Sequence, residues 1–170
     1  METIEQSKPM SSAVKGLLIA LVLIVLQVAA QFGHFMEANW FKFIPTIVLT
    51  VALILGCIHY TKQMQHNVTF GNVFGYGFRT SMVAALIVIV FTVLMFVLFP
   101  EFKEEAIQKA RIQMENDPKL SADTIEKALT LTKKFFIPFA IGGILIVYAV
   151  VGLIASVLGA AVAKKNPRSI

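Results

Sequence analysis

The chain has 170 residues, 57% of them hydrophobic, a mean hydropathy of +0.77 and a formal net charge of +5. Soluble domains average about 45–50% apolar, glycine included, so this composition belongs to a membrane protein, and the single cysteine excludes an internal disulfide framework. Four stretches, residues 16–36, 43–61, 80–100 and 135–163, contain no Lys, Arg, Asp or Glu, which argues against ion-coupled transport because that chemistry places ionisable groups near the bilayer midplane.

A spanning helix needs about 20 mostly apolar residues to cross about 30 Å of hydrocarbon. The first span is read over residues 16–35. Val28, Ala29 and Ala30 resemble a signal-cleavage site, but the apolar character continues to Phe32 and Phe35, so the segment is read as a retained span. Gln27, Gln31 and His34 share one face of it, the most polar stripe in any span. Hydrogen bonding between helices is the ordinary use of such a stripe, and lining a polar path is the alternative. The second span is read over 43–60. Trp40, Phe41 and Phe43 around Lys42 suit an interfacial aromatic belt, Pro45 falls in the first turn where its missing N–H costs little, and Cys57 reads as a small core residue.

Thr69 is a candidate N-cap, and residues 69–78 read as a short helix turning into a third span at 80–99. Phe70, Phe74 and Phe78 recur every four residues, Gly71 and Gly75 form a row beside them, and Gly77 adds flexibility. The pattern predicts an interfacial elbow with aromatics among the headgroups and glycines allowing close helix approach; the alternative is a face for lipid or a partner helix. No Lys-Ser/Thr follows these glycines, so they do not form a nucleotide phosphate loop.

Pro100 ends the third span. Residues 101–134 carry fourteen of the chain's 25 charged side chains, seven of each sign, and read as an amphipathic helical hairpin. Phe102, Ala106, Ala110 and Met114 fall on one stripe of its first helix, with Glu105 and Lys109 as a favourable pair. Asn116, Asp117 and Pro118 break that helix. Ser121 or Asp123 caps the second, with Asp123 and Glu126 at capping-box spacing and Ile125, Ala128, Leu129 and Thr132 on the buried face. The fourth span is read over 138–161. Pro138 predicts a bend and Gly142 and Gly143 loosen it. Gly152, Ser156 and Ala160, with Gly159 adjacent, form a small-residue face for packing within the bundle or between protomers.

The charges of the hairpin cancel. The whole excess lies in Lys62, Arg79, Lys164, Lys165 and Arg168, on the side that four spans assign to both termini. Bases close to the bilayer favour the cytoplasm, so both termini are expected there and the hairpin in the periplasm. Of the three histidines, His34 and His59 are expected at opposite faces, and no carboxylate lies near His59 and His66 in the sequence, so no metal site is predicted. No nucleophile with a base and no paired carboxylates suggest catalysis. No catalytic residue, cofactor or nucleic-acid partner is therefore expected.

The run Phe70-Gly71-Asn72-Val73-Phe74-Gly75-Tyr76-Gly77-Phe78 resembles the glycine-aromatic elbow of the family called domain of unknown function 4199, small multi-pass membrane proteins mostly from Bacteroidetes. Pro100-Glu101 after the third span, the Leu120-Ser121 turn and Gly152-Leu153-Ile154-Ala155-Ser156 are similar in order. The resemblance implies a bacterial inner-membrane protein of four helices and carries over no catalytic residue. The reading is thus an all-α integral membrane four-helix bundle, one domain over 1–170, acting as a non-enzymatic binding or assembly subunit. Its partners would be membrane lipid, another membrane protein or further copies of itself. The alternative is a small oligomeric translocation protein for lipid or lipid-linked sugar.

Overall fold

A computed structural model of the chain describes residues 9–32 and 43–166. Among these there are six α-helices and no strand: α1 (Ser12–Phe32), α2 (Ile44–Gln63), α3 (Phe70–Leu98), α4 (Pro100–Glu115), α5 (Ala122–Lys134) and α6 (Phe136–Val162). Helices α1, α2, α3 and α6 are long and apolar enough to cross a membrane. Many of their large side chains point outward: Val25, Val97, Ile146 and Val162 are each at least 65% exposed. Lipid is the solvent that such surfaces require. His34, Trp40, Phe41, Lys42 and Arg168 lie outside the described residues.

The chain divides into two compact units, the first running up to Val88 and resuming at Ile146, the second covering Ile89–Leu145. The interior of the first is built from small residues. Ala20, Cys57, Ala84, Ala85, Ala155 and Ser156 are fully buried. Helices come this close because no bulky group keeps them apart, and dispersion contacts then hold them where water supplies no hydrophobic drive. A Cβ on Gly16 of α1 would fall 2.8 Å from the Val83 side chain of α3, and one on Gly159 of α6 would fall 2.8 Å from Cys57 Cβ on α2. Two buried hydroxyls bond to their own helix: Thr61 donates to the Cys57 carbonyl at 2.9 Å and Thr80 to the Tyr76 carbonyl at 2.8 Å. Such back-bonding satisfies a hydroxyl where no water can.

Helix α2 ends at a tight loop in which Gln65 and His66 adopt positive φ, 52° and 62°. This left-handed backbone is costly for side chains other than glycine, and its neighbours hold it. His66 Nδ1 lies 2.7 Å from the Lys164 carbonyl, and the Asn166 amide donates to the His66 carbonyl at 2.8 Å. The segment after α6 is thereby tied to the α2–α3 loop. Lys165 Nζ donates to the Ala160 and Ala163 carbonyls at the end of α6 and sits 5.7 Å from the Phe70 ring centre.

One expectation changes. Residues 70–78 are not a separate short helix; they are the first two and a half turns of α3, which is continuous. Three glycines cost a helix about 1 kcal/mol each, but a break at the membrane boundary leaves backbone polar groups without partners, which costs more. Pro138 is the third residue of α6, a first-turn position where the N–H it lacks would have no partner within that helix. Pro100 follows the end of α3 and occupies the first helical position of α4.

In the second unit α4 and α5 contact each other. Ile107 and Leu129 are their buried residues, with Ile125, Ala128 and Thr132 half-buried beside them. Ser121 caps α5 by accepting from the Thr124 amide at 3.3 Å, while Asp123 lies inside the helix and pairs with Lys127 at 2.7 Å. Glu105 and Lys109 pair at 2.6 Å. Phe96 and Phe136 meet edge to face at 4.9 Å, with Lys103 5.8 Å from the Phe136 ring centre.

Candidate functional site

The two units carry charge differently. Every Asp and Glu among the described residues belongs to the second unit, where seven acids meet seven bases. Two of those bases are held by ion pairs one helical turn away, and Arg111 is a third. It donates to Glu115 at 2.8 Å, a bond that raises the guanidinium above its ordinary range. The first unit has Lys15, Lys62, Arg79, Lys164 and Lys165 and no side-chain carboxylate among its described residues. These bases gather at one end. Lys15 opens α1, Lys62 closes α2, Arg79 lies early in α3, and Lys164 and Lys165 follow α6.

Two of them share a groove of about 420 Å³ between α1 and α2. Lys15, Leu18 and Ile19 line it from α1, at the spacing of one helix face. Ala52, Leu55, Gly56, His59 and Lys62 line it from α2. Ala52 to Lys62 is ten residues, or about 15 Å of helix. Lys15, His59 and Lys62 therefore crowd one end, and Leu18, Ile19, Ala52 and Leu55 form the walls below. At Gly56 a Cβ would meet nothing within 4 Å among the described residues, so this glycine leaves room in the groove rather than admitting a helix. The groove thus has a cationic head end on an apolar trough about 15 Å long.

A second, smaller cavity of about 170 Å³ lies nearby, lined by Ser12, Tyr60, Gly71, Asn72, Gly75, Tyr76 and Arg79. Tyr60 and Tyr76 stack with ring centres 4.1 Å apart and nearly parallel. Tyr76 donates its hydroxyl to the Met10 carbonyl at 3.1 Å, and the Met10 amide donates to Gln63 Oε1 at 3.2 Å. The segment before α1 is thus fastened across the ends of α2 and α3.

The residues singled out from the sequence fall into separate places. Gln27 and Gln31 are half-buried on α1 and do not line the α1–α2 groove; His34 lies outside the described residues. Phe70, Phe74 and Phe78 stack ring on ring along α3, at 6.5 and 6.1 Å between successive centres, with Phe70 45% exposed. Gly71 and Gly75 face the small cavity and not a helix, whereas Gly77 beside them is buried against α6 and α2. Gly152 lies against Ser81, Ser156 against Gly77, and Ala160 in a cluster with Cys57 and Val73, so this row faces the interior of the first unit. The groove itself is not legible in the sequence, because Lys15 and Lys62 are 47 positions apart. The only local sign is that each base sits within one turn of the end of its helix. Among the described residues no three His, Cys, Asp or Glu side chains come together.

The family model described as "Protein of unknown function (DUF4199)" matches residues 13–165, nearly the whole chain. No curated protein and no solved structure matches it. The chain belongs to the DUF4199 family.

Proposed function

We propose that this protein is a non-enzymatic, lipid-binding membrane protein of the bacterial inner membrane, and that its ligand is an anionic phospholipid. The observation that carries this reading is the α1–α2 groove, cationic at Lys15 and Lys62, with His59 beside them, and apolar below. The lipid phosphate meets the two lysines, and an acyl chain lies along Leu18, Ile19, Ala52 and Leu55. No described residue of this unit carries a carboxylate that would compete with the phosphate for either lysine.

The same charges orient the chain. Bases near the bilayer favour the cytoplasmic side, where the anionic leaflet attracts them at about 1 kcal/mol each. Both termini are cytoplasmic on this reading and the α4–α5 hairpin is periplasmic.

The test is lipid retention by the full-length protein in mild detergent, measured by native mass spectrometry with phosphatidylglycerol and phosphatidylcholine supplied in equal amounts. Phosphatidylglycerol should be retained preferentially. The double variant Lys15→Gln, Lys62→Gln should lose about 2 kcal/mol of that preference, roughly thirtyfold. Equal retention of both lipids by the native chain would refute the reading.

A further inference from the structure

We propose that Arg79, with the glycine wall beside it, forms a second lipid site, separate from the α1–α2 groove, that takes the phosphate of an anionic lipid headgroup. It lies in the small cavity bounded by Ser12, Tyr60, Asn72 and Arg79. It rests on the membrane reading of the chain but not on the groove.

Size is the first argument. Pockets for whole small ligands measure about 300–1,000 Å³. A cavity of about 170 Å³ takes a compact group and excludes a chain. Its lining is also polar where the groove is apolar. Neither the Arg79 guanidinium, the Asn72 amide nor the Tyr60 hydroxyl has a hydrogen-bond or ion-pair partner among the described residues. All three are groups that can donate to phosphate oxygens.

Glycine placement is the second argument. Gly71, Gly75 and Arg79 follow one another every four residues and so share one face of α3. Three glycines within seven residues weaken a helix, so each needs a reason. Gly77 has one, since helices α2 and α6 leave no room for a Cβ there. Gly75 has no atom within 4 Å of a Cβ position, and Gly71 has only Thr69 Oγ1 at 4.0 Å. Helix contact does not explain these two. What they provide is open space beside Arg79 with the backbone as its wall.

Depth is the third argument. After Arg79 the chain is uncharged through residue 100, and α3 continues to Leu98, which is about 28 Å of helix, close to the hydrocarbon thickness of a bilayer. Arg79 is therefore the last charge before the hydrocarbon begins, at the level where lipid phosphates lie. A guanidinium holds a phosphate by two parallel N–H donors, which an ammonium cannot do.

The experiment counts bound lipids on the full-length protein by native mass spectrometry, with phosphatidylglycerol as the probe and phosphatidylcholine as the neutral comparison. The native chain should hold two phosphatidylglycerol molecules. Arg79→Gln should hold one, with at least a tenfold loss at the second site, and Arg79→Lys should fall in between because it keeps the charge and loses the fork. Gly75→Leu should also hold one, since it fills the cavity without meeting another helix; its thermal unfolding is measured alongside, and Arg79→Gln decides the matter should Gly75→Leu misfold. The Lys15→Gln, Lys62→Gln variant should keep the Arg79 lipid. Two lipids on Arg79→Gln but one on the double lysine variant would overturn this site and leave the groove standing. The converse pattern would overturn the groove and support the Arg79 site. Displacement of the second lipid by millimolar inorganic phosphate would overturn the lipid as the source of the phosphate group.

Discussion

Gly77 of α3 approaches Ser156 of α6 so closely that a Cβ on the glycine would lie 2.6 Å from the serine hydroxyl and 2.7 Å from Cys57 Sγ on α2. Three spans meet at this point, and each contributes a residue small enough to allow it. The contact makes Gly77 a different kind of glycine from Gly75, two positions earlier in the same helix.

That difference is measurable. Gly77→Ala and Gly159→Ala should each destabilise the protein by about 1–3 kcal/mol, the usual cost of forcing a methyl into a filled interior. Gly75→Ala and Gly142→Ala, where a Cβ meets nothing within 4 Å, should be neutral or stabilising by up to about 1 kcal/mol through helix propensity. Equilibrium unfolding in detergent micelles reads both effects.

Two buried serines should respond in opposite ways. Ser81 donates to the Tyr148 carbonyl at 2.8 Å, and Ser81→Ala should cost about 0.6 kcal/mol, as such bonds do between membrane helices. Ser156 has a buried hydroxyl with no hydrogen-bond partner among the described residues. Removing a buried polar group that is already unpaired lifts its desolvation penalty, so Ser156→Ala should leave stability unchanged or raise it. The same unfolding assay separates the pair.

In the α4–α5 hairpin, apolar contact should outweigh the ion pairs. Leu129→Ala should cost about 2–3 kcal/mol, because Leu129 is 9% exposed and its removal leaves a cavity in the buried face of α5. Asp123→Ala breaks a pair whose side chains are both 75% exposed and should cost at most about 0.5 kcal/mol. Ser121→Ala should cost about 1 kcal/mol through the lost cap. Amide hydrogen exchange over residues 100–134 would show faster opening for Leu129→Ala and Ser121→Ala than for Asp123→Ala.

The proposed orientation predicts a labelling pattern. Cys57 is the only cysteine and is fully buried, so the native protein should not react with a membrane-impermeant maleimide. Lys119→Cys places a thiol in the exposed turn between α4 and α5 and should label in intact cells with a permeable outer membrane. Protection of that cysteine would place the hairpin in the cytoplasm instead.

Within one helix the sequence was sufficient wherever the deciding partner lay within a turn. Runs of about 20 uncharged residues identified four spans, because hydrocarbon thickness and helical rise permit little else. The Glu105–Lys109 pair, the Ser121 cap and the Thr69 hydroxyl that accepts from the Asn72 amide depend on neighbours three or four residues away. The role of each small residue depended on what another helix placed opposite it. Gly71, Gly75 and Gly77 are chemically identical and lie within seven residues, yet two bound a cavity and the third holds three helices together. The pairing of Lys15 with Lys62 and the opening beside Arg79 likewise arise only when α1, α2 and α3 come together. Solvent and local hydrogen bonding select the elements residue by residue. Which faces meet, and hence where a phosphate would find a cation, is settled by close packing between segments distant in the chain, and periodicity along one segment does not encode it.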